Sequence, residues 1–192
     1  GAQKLVLGPA QLGMSYGIGN RTGMPDAEAA ASIIKTALAS GVEWLDTARA
    51  YGASEQVIGA SLADGWQGRA RIVTKLSLDL GRPADATAQH ARACVDASIF
   101  QSTTALGQSR LDVVMLHRAD HLHTGKGAVL QRLAELVANG TIGKIGVSVQ
   151  NPAELVAALE HAEIEVLQLP FNLLDWRWQP HIEQLQAARR ER

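Results

Sequence analysis

The sequence predicts an α/β protein built on a parallel sheet, with a barrel favoured over an open, doubly wound sheet. Three observations lead there. Short apolar runs alternate with helical patterns six times along the chain, joined by short connections. Such alternation implies parallel strands linked by right-handed crossovers. One run, Leu111 to His117, is almost wholly apolar, as a strand covered on both faces must be. The glycine-rich turn that would cradle a dinucleotide after the first strand of an open sheet is missing. Gly17-Ile18-Gly19-Asn20-Arg21-Thr22-Gly23 has another spacing, and no helix opens within it.

The elements follow in order. Lys4-Leu5-Val6-Leu7 reads as the first strand, ended by Gly8-Pro9 and followed by a long loop. Ala30, Ile33, Ile34, Ala37 and Leu38 form the apolar stripe of a helix. Val42-Glu43-Trp44-Leu45 is the second strand, and Ser54 is a candidate N-cap for the helix carrying Val57, Ile58 and Leu62. Arg71 to Lys75 is the third strand. A long helix follows, with Ala88, Ala91, Val95, Ile99, Ser102 and Leu106 on one face and Gly107 as its stop. After the fourth strand, Val129, Leu130, Leu133, Leu136 and Val137 mark a helix that Asn139-Gly140 ends. Lys144 to Ser148 is the fifth strand. Asn151-Pro152 then pairs an N-cap with proline at the first helical position. Glu165 to Leu169 is the sixth strand, and a polar helix is expected after Pro180.

Composition narrows the partners. The chain has 192 residues and is read as one domain over 1–192, with 46% hydrophobic residues and a net charge of −1. That charge implies neither a nucleic acid nor a membrane surface as partner. One cysteine, Cys94, cannot form an internal disulfide and fits a reducing, cytoplasmic compartment. No apolar run reaches the length of a membrane span, and we expect no signal peptide.

Chemistry-bearing residues gather at strand ends. Asp46 ends the second strand, Lys75 the third and His117 the fourth, while Tyr51 lies in the loop after Asp46. In a parallel barrel these ends share one face, where such folds place their chemistry. A nearby ammonium favours a phenolate and lowers a phenol's pKa, so Lys75 would ready Tyr51 as a general acid for a carbonyl oxygen. Asp46 would hold the lysine, and His117 could donate a hydrogen bond to the same oxygen. Singly, each has a plainer explanation: a helix cap, a rim aromatic, a solvated charge and a core histidine. Together they point to catalysis. His117, His121 and His123 also suggest a metal site, but no acidic or cysteine ligand follows at a familiar spacing, so none is assigned.

The chain resembles the aldo-keto reductase family. Leu45-Asp46-Thr47-Ala48 with Tyr51-Gly52 and Ser54-Glu55 carries the likeness. So do Val73-Thr74-Lys75, Leu111-Asp112-Val113 with Leu116-His117, Ile145-Gly146-Val147-Ser148, and Gln168 with Phe171-Asn172. The resemblance implies a (β/α)8 TIM-type barrel, here truncated after about six βα units. It also implies reduction of a small carbonyl substrate with NADPH, or alternatively NADH. The tetrad would be Asp46, Tyr51, Lys75 and His117. Ser148 and Gln168 would hold the nicotinamide carboxamide, and Gly8, Pro9 and Ala10 would lie near the nicotinamide ribose. Many members have asparagine after the serine, where this chain has Val149. A non-catalytic module that binds the cofactor on the same fold is the competing class of function. A complete barrel of this kind has roughly 250 residues, so we expect the chain to be part of a longer polypeptide. An open barrel would leave unpaired edges on strands one and six, which favours self-association.

Overall fold

The computed structural model describes residues 4–7, 27–39, 44–46, 55–63, 65–66, 68, 70–76, 87–169 and 187. For residues 4–7, Ala27, Ala30, Ile33, Ala37, Trp44 and Asp46 it describes the backbone alone. The elements in chain order are β1 (Lys4–Leu7), α1 (Ala27–Ala39), β2 (Trp44–Asp46), α2 (Glu55–Leu62), β3 (Arg71–Lys75) and α3 (Ala88–Leu106). They continue with β4 (Leu111–Leu116), a 3-10 turn (Ala119–Leu122), α4 (Ala128–Ala138), β5 (Ile142–Ser148), α5 (Pro152–Leu159) and β6 (Ile164–Leu169).

Local chemistry sets the helix ends. Thr87 accepts from the His90 amide at 3.1 Å and caps α3. Gly107 ends that helix in the left-handed region, φ 64°, and donates to the carbonyls of Thr103 and Thr104. Asn151 accepts from the Glu154 amide at 2.9 Å, with Pro152 first in the helix. Asn139 and Gly140, φ 85°, end α4.

The strands form one six-stranded parallel sheet in the order β1-β6-β5-β4-β3-β2. From β2 to β6 each strand lies beside its successor, so the chain winds one way round. A doubly wound sheet would reverse direction at a switch point; this one does not, and the winding is that of a barrel. One expectation is corrected. Strand six was to have an unpaired edge, yet β1 pairs with β6 through Lys4–Val166, Leu5–Leu167, Val6–Gln168 and Leu7–Leu169. The physical reason is that buried N–H and C=O groups need partners, and β1 supplies them to β6. Among the described residues no ladder joins β1 to β2.

Two layers of side chains pack on this sheet. The larger lies between strands and helices and includes Leu45, Ile72, Val114, Leu116, Ile145, Val147 and Leu167 against Ile58, Val95, Leu133 and Leu155. The smaller is Val73, Val113, Met115 and Val166, on the opposite face. Because side chains alternate along a strand, the residues in step with this inner set are the ones that can face the barrel axis. Gly146 belongs to it. A Cβ there would collide with Met115 Sδ and come within 2.9 Å of Val166, so the missing side chain makes room for the methionine. Glu165 is the extra residue of a bulge between β5 and β6, which lets Ile164 pack outward while Val166 and Gln168 face inward.

Candidate active site

The ladder registers bring five of the predicted positions to one end of the sheet. Asp46 ends β2 and pairs through its backbone with Val73. Lys75 ends β3, pairs with Met115 of β4 and is half-buried. His117 directly follows β4 and is exposed, which removes the reading of it as a core histidine. Ser148 ends β5 and pairs with Gln168 of β6. The side chain of Asp46, the whole of Tyr51, and Gly8, Pro9 and Ala10 lie outside the described residues. So do Ser54 and the helix expected after Pro180, apart from residue 187.

The floor beneath these ends is apolar. Lys75, Met115, Gly146 and Val166 are linked in register across four strands. Met115 is buried and Gly146 cannot carry a side chain without displacing it. The next inward positions toward the strand ends include Ser148 and Gln168, which are only 5% and 6% exposed. Ser148 Oγ donates to Gln168 Oε1 at 2.8 Å. Their strands remain paired past that point, since the Val149 amide donates to the Gln168 carbonyl at 3.0 Å. With its oxygen engaged, Gln168 keeps an NH2 group as donor, and the Ser148 oxygen keeps acceptor lone pairs. A planar carboxamide offers one acceptor and one donor, so it complements this pair. Val149 is fully buried in the helix-side core and adds no polar group.

The residues after β4, Arg118 to Lys126, are mostly polar in sequence, yet they do not form a simple solvated loop. They contain the 3-10 turn, and His121 is buried there with no hydrogen-bond partner for its Nδ1 among the described residues. Burial pushes the imidazole below its ordinary pKa, outweighing Asp120, which acts the other way. His123 instead stacks obliquely with His161 of the segment after α5, centroids 5.6 Å apart. The three histidines therefore do not converge, and among the described residues no cluster of three or more His, Cys, Asp or Glu could hold a metal. No helix among the described residues is long and apolar enough to cross a membrane.

Sequence reasoning quoted Glu55 within the Ser54-Glu55 match but gave it no role. It opens α2, accepts from Thr74 Oγ1 at 2.7 Å through Oε2, and accepts from Ser102 Oγ at 3.0 Å through Oε1. Its signal was its place directly after the candidate N-cap, where a carboxylate also suits the helix dipole. The inward Gly146 and Met115 carried no signal of their own in the sequence.

Similar known proteins point to one family. The sequence profile of the aldo/keto reductase family matches residues 4–189. Pyridoxine 4-dehydrogenase of Escherichia coli (strain K12) is 29% identical over 155 residues, which cover 77% of this chain and 54% of that protein. The chain thus spans about half the length of that curated relative. A crystal structure described as an aldo-keto reductase from Pseudomonas aeruginosa is 28% identical, with a TM-score of 0.68 over 95% of this chain and 69% of that one. An aldo-keto reductase from Klebsiella pneumoniae in complex with NADPH, 20% identical, has a TM-score of 0.62 over 83% of this chain and 55% of its own; at that identity the likeness is one of fold. The profile match over nearly the whole sequence, together with the one-way winding of the sheet, shows that the chain belongs to the aldo/keto reductase family.

Proposed function

We propose that the protein carrying this chain reduces a carbonyl group, aldehyde or ketone, to an alcohol with NADPH; NADH is the alternative cofactor. The observation that carries this reading is the buried Ser148–Gln168 bond at the ends of β5 and β6, in the sheet whose β3 and β4 lead to Lys75 and His117. Ser148 and Gln168 have the donors and acceptors to hold a nicotinamide carboxamide, and Gly8, Pro9 and Ala10 would lie by the ribose. The NADPH complex of the Klebsiella relative supports the cofactor. The relative named for dehydrogenating pyridoxine, an alcohol, supports the alcohol–carbonyl couple.

When bound, NADPH supplies a hydride. The chain's own residues would then manage the proton. A free phenol has a pKa of about 10, too high for ready donation at neutral pH. The Lys75 ammonium favours the phenolate and so makes Tyr51 a stronger acid. Asp46 keeps that ammonium charged and in place. Tyr51 donates its proton to the carbonyl oxygen as negative charge develops there, and His117 hydrogen-bonds the same oxygen. Solvent returns a proton to Tyr51 once the alcohol has left.

The test is a titration with NADPH followed by an assay for carbonyl-dependent loss of its absorbance. Tyr51→Phe is expected to lower turnover by about 10²- to 10⁴-fold while leaving cofactor affinity unchanged. Wild-type turnover in Tyr51→Phe, with chemistry rate-limiting, would remove Tyr51 as the acid. Binding of NADPH without turnover in the wild type would favour the non-catalytic module.

A further inference from the structure

The carboxylate of Glu55 is engaged on both sides, by Thr74 of β3 at 2.7 Å and by Ser102 of α3 at 3.0 Å. Thr74 and Ser102 are themselves buried, at 2% and 4% exposure. Hydrogen bonds to an ionised acceptor are stronger than those between neutral groups, so this is a firm three-way joint. A second contact holds the same helix one turn on. A Cβ at Gly59 would collide with the Ala105 carbonyl oxygen and approach the Leu106 backbone at 3.0 Å. Helices α2 and α3 therefore meet backbone to backbone there, and α2 has little freedom to slide or turn.

The joint matters because of what it connects. Thr74 immediately precedes Lys75, and its side chain points to the helix side while Val73 belongs to the inner cluster. The end of β3 is thus gripped from outside the sheet, on the residue next to the lysine. Glu55 also closes the connection 47–54 that leaves β2 after Asp46, and Tyr51 lies within that connection. One carboxylate ties the exit of the tyrosine-bearing segment to the strand that bears the lysine.

We propose that Glu55 is a positioning residue, which sets Tyr51 relative to Lys75 by bridging Thr74 and Ser102, without touching substrate or cofactor. The inference rests on the tyrosine–lysine reading given under Proposed function. Errors in placement of about 1 Å can cost about 10²-fold in rate, so a joint two steps removed from the reacting atoms can still matter.

Three variants test it, each alone and combined with Tyr51→Phe. Glu55→Ala removes the bridge and the charge. Glu55→Gln removes the charge but keeps the bridge, because a hydroxyl can accept from the amide NH2 as well as donate to its oxygen. Thr74→Val removes one arm. The first readout needs neither cofactor nor substrate: the difference in phenolate absorbance between each protein and its Tyr51→Phe counterpart titrates Tyr51 alone. Its midpoint is expected to be higher in Glu55→Ala than in Glu55→Gln, since the ammonium no longer sits in place. The second readout is kinetic. Glu55→Ala is expected to lower kcat by about 10- to 100-fold with NADPH affinity unchanged. Glu55→Gln should recover most of that loss, and Thr74→Val should fall between.

A Tyr51 midpoint equal in Glu55→Ala and Glu55→Gln overturns the positioning role. So does a loss of kcat that merely tracks the folded fraction and is not rescued by Glu55→Gln. A wild type that binds NADPH but reduces no carbonyl overturns the enzymatic reading instead, and the titration still decides the role of Glu55.

Discussion

The two ends of the sheet use polar side chains in opposite ways. Where the strands begin, side chains serve the backbone. Asp112 Oδ2 accepts from the Ile72 amide at 3.0 Å, and Asn139 Oδ1 accepts from both the amide and the hydroxyl of Thr141, at 3.0 and 2.7 Å. Where the strands finish, Ser148 and Gln168 bond to each other, and the ladder beneath them is complete without their help. A side chain that satisfies a buried amide is felt as stability, because an unpaired donor costs free energy. Two buried side chains that bond to each other rather than to the backbone carry a desolvation cost that the ladder does not require. Such an arrangement makes sense where a ligand is to be met, and barrels of this type meet their ligands at that end.

The largest effect expected from this division is at the beginning of the strands. Asp112→Ala strands the Ile72 amide beside a side chain that is 1% exposed, and should cost about 1–3 kcal/mol in urea unfolding. NADPH affinity should not change; a weakened affinity would break the distinction between the two ends. Next comes Ser148→Ala. It removes the donor to Gln168 and should weaken NADPH binding by about 0.5–1.5 kcal/mol, the worth of one neutral hydrogen bond, with unfolding little altered. If calorimetry instead finds stability falling and binding intact, the pair is structural.

The smallest effect belongs to the helix layer outside both ends. Glu135 of α4 is bonded to Arg92 of α3 and to Arg132, and these hold its carboxyl down to about 2. A depressed carboxyl contributes stability that is complete above its ordinary value near 4.5 and is lost as pH falls through about 2. The group is on the surface and its pairs are screened by salt, so the change in unfolding should be slight. Its carboxyl carbon, followed by NMR, should titrate near 2. A midpoint near the ordinary value would mean that the helices are not clamped at this point.

Much of the architecture was legible because its signals are local. The residues from Ala88 to Gly107 gave both ends of α3, since an apolar stripe and a left-handed glycine need only neighbours in sequence. Asn151-Pro152 did the same for α5. Lys75 and His117 were placed by their positions at or just past strand ends, Ser148 and Gln168 by the family resemblance, and the ladders bring those ends together. What failed to show were contacts that no local pattern encodes. Gly146 is small because Met115 of the next strand occupies its space. His121 stands among Arg118, Asp120, His123 and Lys126 and so reads as part of a polar loop, yet the turn folds its ring inward. Glu55 looked like the opening residue of a helix, and its two partners lie in elements far along the chain.

The pairing of β1 with β6 has a consequence for how the molecule forms. Lys4 meets Val166 and Leu7 meets Leu169, so β1 waits until β6 has been synthesised before this ladder can form. Closing so long a loop delays the reward from any contact made at its ends, and chains dominated by distant pairings fold slowly. Strands β2 to β6, each beside its successor, can assemble progressively in the meantime. Docking of β1 should therefore be the late, slow phase of folding, and in that interval the edge of β6 is the surface on which a neighbouring chain competes with β1.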